Sequence, residues 1–400
     1  MSCCLLSYFR TSRIVLAITL FVALVSTAAA FTNGQPASLV LGQSNFTSSG
    51  YATTANGMFI PQSVAIDPVS GKVFIADGDN NRVLRFDNVD SKTNGAAADG
   101  VLGQPDFTSN TPATNQSGMS GPLGVVLDSS GRLWVTDNLN HRVLRFDNAA
   151  TKANGAAADG VLGQANFASS GFATTASGMY FPVSVAIDSS RLWVSDSWNH
   201  RVLRFDNAAS KANGAAADGV LGQPDFTSSN AFVTTRNRMS YPNGIVVDKA
   251  GHLWVADSNN NRVLRFDNAA SKANGAAADG VLGQPDFTSN TAVTTQSGIN
   301  VAGDVEADNA GNLWVTDYSN NRVLRFDNAA SKANGAAADG VLGQPDFTSS
   351  GFATSQSRMS RPGGTAIDSS NRLWVVDAIN NRVLRFDSLY STYYLPLAQR

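Results

Sequence analysis

The chain carries few residues able to do acid–base or nucleophilic chemistry. Its 400 residues include three histidines, His141, His200 and His252, and one glutamate, Glu306. A histidine zinc site needs ligands that converge on one point. His141 and His200 occupy equivalent places in neighbouring repeats, and His252 falls in a different kind of turn. No metal and no other cofactor is therefore expected. Six copies of Asp-x-x-Asn-x-Arg, from Asp77–Arg82 to Asp377–Arg382, bring an acid and a base five residues apart. Six equal copies argue for turn building, with the Asp accepting turn amides or pairing with the Arg. Asp79-Asn80-Asn81 lacks the oxygen spacing of a calcium loop. Glu306, in Asp304-Val305-Glu306-Ala307-Asp308, is the one plausible general acid or base.

The elements that hold these residues follow from one period. RVLRFD begins at Arg82, Arg142, Arg201, Arg262, Arg322 and Arg382, a spacing of 59 to 61 residues. Each repeat reads as four short strands bounded by turns, as in 124–128, 133–137, 142–147 and 160–164 of the second. No segment sustains a helical period. Four antiparallel strands per repeat describe a propeller blade, so the expected fold is an all-β, six-bladed β-propeller over residues 31–388. After the last RVLRFD no outer strand follows, while SLVLGQ at 38–43 stands alone at the other end. The N-terminal strand is expected to complete the last blade and close the ring.

Departures from the repeat mark candidate functional residues. The second strand carries Phe74, Trp134, Trp193, Trp254, Trp314 and Trp374 at one position, as core packing requires. Trp198 sits instead on a turn tip and reads as a contact residue. In blade five, Asp304 replaces Gly or Ser and Glu306 replaces Ala or Val on the innermost strand. Such a carboxylate must be paired or solvated. Arg238 and Arg358 replace glycine in the flanking blades, and Arg361 adds a third charge. The expectation is one charged locus at the channel mouth, with Glu306 paired to an arginine or solvated.

The turn D-x-x-N-x-R followed by V-L-R-F, with Asn140-His141-Arg142 and Asn199-His200-Arg201 as fuller copies, resembles the NHL repeat family. The resemblance covers roughly residues 37–388 and implies the propeller fold. It does not fix function. The family includes RNA-binding propellers, substrate domains of RING ubiquitin ligases, sensor domains of kinases and a zinc-dependent lyase. This chain has no cysteine-rich RING and no converging histidines, and its basic residues are spread evenly. The resulting expectation is a binding or scaffolding module for an extracellular protein, peptide or glycan, not an enzyme. The alternative is a channel-sited hydrolase or lyase with Glu306 as acid or base.

A net charge of −2 gives no electrostatic reason to bind nucleic acid or an anionic membrane. Residues 1–30 read as a signal peptide: Arg10 and Arg13, an apolar run from Ile14 to Val25, then Ala28-Ala29-Ala30. A secreted chain is expected, without membrane insertion once the leader is removed. Cys3 and Cys4 fall inside that leader, so the mature chain would have no disulfide. Residues 389–400 form a tail of unassigned role.

Overall fold

The computed structural model describes residues 31–388. The expected leader over 1–30 and the tail over 389–400 lie outside the described residues. Among the described residues there are twenty-four strands, eleven short 3-10 turns and no α-helix. The strands form six four-stranded antiparallel sheets. The fold is a six-bladed β-propeller. Blade five is typical, running outward through Ala302–Ala307, Leu313–Asp317, Arg322–Phe326 and Gly340–Leu342. Blade six takes Pro362–Ile367, Leu373–Asp377 and Arg382–Phe386 from the C-terminal end and Leu39–Leu41 from the N-terminal end. There Leu39 faces Arg385, Val40 faces Leu384 and Leu41 faces Val383.

The near-continuous apolar runs are explained by burial on both faces. Every residue of Leu133–Asp137, Leu253–Asp257, Leu313–Asp317 and Leu373–Asp377 is buried. The core is divided among the seams between blades. Trp193 of blade three packs with Leu253, Leu264 and Phe266 of blade four. Trp314 of blade five packs with Leu373, Leu384 and Phe386 of blade six, and Ala37 and Val40 join that cluster. Each inner strand lies against the next, and that of blade six against that of blade one, so they form a closed ring around a channel. Their pairing is irregular just after the first residue, bracketing Gly303 and Asp304 in blade five. Such a bulge re-aims side chains, here toward the axis.

The six Asp-x-x-Asn-x-Arg turns are structural. In every copy the Arg Nε donates to the Asp Oδ2 at 2.6–2.8 Å with both side chains fully buried. In blade four Asp257 also accepts from the Ser240 amide and from Asn260. The Arg262 fork donates onward to the carbonyls of Phe287, Thr235 and Arg238. Each arginine thus ties its own turn to the loops entering its blade and leaving toward the next. These turns define the upper face of the disc.

Candidate functional site

The upper face is built from backbone in an unusual conformation. Each turn ends on a left-handed residue: Asn81, His141, His200, Asn261, Asn321 and Asn381. Each of these side chains accepts the amide of a residue at the entrance to the next inner strand. Asn261 Oδ1 accepts from Val301 at 2.8 Å, and Asn321 Oδ1 accepts from Arg361 at 2.8 Å. His141 Nδ1 accepts from Phe181 at 3.2 Å, and His200 Nδ1 accepts from Tyr241 at 3.1 Å. The two histidines therefore do what asparagine does in the other blades. His252 lies elsewhere, in a turn of the opposite face, with Nδ1 2.8 Å from Asp248.

An imidazole that accepts through Nδ1 must be neutral and carry its proton on Nε2. Burial pushes both His141 and His200 below the ordinary histidine range. The sign of the linkage follows. The unfolded chain binds these protons more readily, so their contribution to stability is full above about pH 6.5 and is lost as pH falls toward the folded values. The variant His141→Asn/His200→Asn should keep the fold and lose less stability than the parent between pH 7 and pH 5. Parallel urea melts across that range check this. Equal pH slopes for the two proteins would refute it.

The residues donating those amides are themselves left-handed: Ile60, Gly121, Phe181, Tyr241, Val301 and Arg361, with φ between 47° and 62°. Only blade two uses glycine. Elsewhere a bulky side chain is held where it costs about 1–2 kcal/mol. Such strain is retained where surrounding structure enforces it, often at functional sites. In blades three and four these residues join a continuous aromatic row. Phe172 stacks on Tyr180 with ring centroids 4.3 Å apart. Trp198 lies 5.2 Å from Tyr180, 5.0 Å from Phe181 and 5.8 Å from Tyr241. Phe232 ends the row, 6.2 Å from Tyr241. Trp198 is 47% exposed, Phe172 62% and Phe232 72%, while the other five tryptophans are at most 2% exposed.

The channel below is narrowed by one ring of residues, Ser63, Gly124, Ser184, Gly244, Asp304 and Gly364. The alternation is steric. A Cβ on Gly244 would stand 2.4 Å from Asp304 Cα, and one on Gly124 or Gly364 would stand 2.7 Å from the Cα of Ser184 or Ser63. Asp304 Oδ2 accepts from the Thr365 amide at 2.7 Å and hydroxyl at 3.1 Å. Thr365 stands where the other blades have Val64, Val125, Val185, Ile245 and Val305. Burial, opposed by these two donors, moves the Asp304 carboxyl up to about 6.

Beneath the ring a cavity of about 240 Å³ is walled by valine, isoleucine, leucine and alanine side chains, with Ser63, Ser184, Asp304 and Thr365 toward the ring, and Glu306 lines it. The cavity reaches Pro68 and the far ends of the inner strands, so it opens toward the lower face. Burial, reinforced by the Asp304 carboxyl, pushes Glu306 well above its ordinary value.

The candidate charged locus is not assembled. Arg238 donates to Gln223 Oε1 at 2.6 Å and Arg358 to Gln344 Oε1 at 2.7 Å, each against the end of the preceding outer strand. Arg361 lies over the Tyr318 ring at 5.6 Å. None of the three pairs with Asp304 or Glu306. The expectation of an arginine partner for Glu306 is thus corrected: these arginines project into the loops of the upper rim, and Glu306 lies below the ring.

Residues 119–146, 179–205 and 239–266, one stretch in each of blades two, three and four, match the family model described as NHL repeat. The remaining blades repeat the same turn, ion pair and strand register. The chain is an NHL-repeat propeller. No curated protein matches it in sequence. Among solved structures, a protein of unknown function from Bacteroides thetaiotaomicron is 13% identical, covering 86% of this chain and 74% of that one, with a TM-score of 0.53. A streptogramin B lyase is 12% identical over 85% of this chain and 95% of its own, with a TM-score of 0.48. A gluconolactonase from Xanthomonas campestris is 14% identical over 87% and 96%, with a TM-score of 0.45. At such identities the likeness is one of fold.

In this NHL propeller, sequence reasoning placed Trp198 on the upper face and Asp304 and Glu306 on the channel. It missed Phe172, Tyr180, Phe181, Tyr241 and Phe232. For Tyr180, Phe181 and Tyr241 the available signal was variation among otherwise near-identical repeats at the two residues before the inner strand: Phe59-Ile60, Ser120-Gly121, Tyr180-Phe181, Ser240-Tyr241, Asn300-Val301 and Ser360-Arg361.

Proposed function

We propose that the chain is an exported binding module whose protein, peptide or glycan ligand docks on the upper face of blades three and four. The observation that carries this is the aromatic row centred on Trp198. Exposed aromatic clusters with polar tips are characteristic of recognition surfaces. Two of its rings, Phe181 and Tyr241, stand on backbone that glycine would occupy more cheaply, so packing alone does not account for them. Export is supported by the leader-like residues 1–30. Glu306 does not extend this surface, because it lies below the ring at Ser63, Ser184 and Asp304.

Trp198 supplies its own reporter, since it is the one exposed indole among six. Emission and acrylamide quenching can be followed while panels of oligosaccharides and peptides are titrated in. A ligand of this surface should protect Trp198. Trp198→Ala should weaken it by roughly tenfold to several hundredfold, as expected for a central aromatic anchor, while the melting temperature stays within about 2 °C. A ligand held equally well by Trp198→Ala and Tyr241→Ala would place recognition elsewhere.

A further inference from the structure

The blade does not require a carboxyl at Glu306. The equivalent residue is Ala65, Val126, Ala186, Val246 or Ala366 in the other blades, and those strands pair in the same way. Among the described residues, no side chain forms a hydrogen bond or ion pair with it, and its carboxyl is met by the backbone N–H of Ile367. A carboxyl facing alkyl side chains with one backbone donor and no charged partner is destabilising. Asp304 differs, since Thr365 satisfies one of its oxygens. Its other oxygen is not engaged by any cation among the described residues.

Two carboxyls therefore face one cavity with no positive charge among the described residues to offset them. The remaining walls narrow the ligand further. Calcium or magnesium would need about six oxygen ligands converging on one point, whereas the cavity offers two carboxyls on one blade and the hydroxyl-bearing Ser63, Ser184 and Thr365 on three others, with valine, isoleucine, leucine and alanine between them. Its volume of about 240 Å³ suits a small molecule more than a bare ion.

We infer that the lower channel cavity binds a small organic cation, a primary or substituted alkylammonium, whose charged head pairs with Glu306 beside Asp304 and whose alkyl body fills the bowl. The ammonium supplies the charge that no channel residue supplies. The site opens on the face opposite the aromatic row, so it stands or falls independently of the upper-face reading.

The test uses n-hexylammonium, with n-hexanol and calcium as comparison probes, titrated calorimetrically into the mature chain. Hexylammonium should bind, and hexanol and calcium should not. Glu306→Gln keeps the shape, removes the charge and should weaken binding by about tenfold to a hundredfold. Val126→Phe, across the ring from blade five, fills the bowl without touching the carboxyl and should also abolish binding. Glu306→Ala restores the residue of three other blades and should raise the melting temperature of the ligand-free protein. Absent hexylammonium binding, equal binding of hexanol, preferential binding of calcium, or a lower melting temperature for Glu306→Ala would each overturn the inference.

Discussion

A chain lacking residues 31–44 is expected to lose its cooperative fold. Leu39, Val40, Leu41 and Ala37 are all buried, and burying each of the three larger side chains contributes about 1.5–3 kcal/mol. Their sum is comparable with the whole stability of an ordinary domain, about 5–15 kcal/mol. The same segment supplies hydrogen bonds. Gln356 Nε2 donates to the Ala37 carbonyl at 2.7 Å, Gln35 Nε2 to that of Asp387 at 2.7 Å, and Arg325 to that of Phe31 at 3.2 Å. Its loss would also bare an edge of blade six ready to pair with other chains. Thermal melts and size-exclusion chromatography of the truncated chain should show a lost or strongly lowered transition and higher-order species. Val40→Asp, which keeps every residue of the strand but buries a charge, should act in the same direction. A truncated monomer melting within a few degrees of the full mature chain would show that closure does not depend on this strand.

The second large effect is expected at any one of the six buried ion pairs. Arg262→Leu removes the partner of a fully buried carboxylate, and uncompensated buried charges of this kind cost about 3–5 kcal/mol. It also leaves the carbonyls of Phe287, Thr235 and Arg238 without their donor. Asp257→Asn/Arg262→Leu should cost less than the two single changes combined, because neither charge is then stranded. Chemical denaturation of the four proteins gives the coupling directly. Since the geometry recurs in every blade, Arg142→Leu and Arg201→Leu should fall in the same range. A variant of this set that stays fully stable would break the equivalence of the turns.

How much of this was legible depended on whether a residue's role repeats. RVLRFD announced six blades, and the solitary SLVLGQ announced which strand the last blade would borrow. The buried indoles were readable because six aromatics at one strand position leave little but core. Side-chain direction in the entrance loops was not readable. Arg238 and Arg358 follow glycines in register, but whether they turn toward the axis or toward Gln223 and Gln344 depends on loop geometry. The left-handed backbone at Phe181 and Tyr241 was hidden because both precede proline, where extended backbone is the usual state. Only Gly121 hinted at it. The alternation around the channel was in plain sight, but Gly and Ser were read there as one small class.

That alternation makes parity a property of the disc. Ser63, Ser184 and Asp304 each lean over a neighbouring backbone that has no side chain in the way. A pattern of this kind closes only on an even number of members. Removing one repeat, or duplicating one in tandem, would bring two side-chain-bearing members together or set two glycines side by side, giving a collision at one seam or a gap at another. Adding or deleting two consecutive repeats would leave the order intact. In packing terms, this propeller is therefore a three-membered ring of blade pairs, and a lineage enlarging it blade by blade would have to rewrite the ring at every odd step.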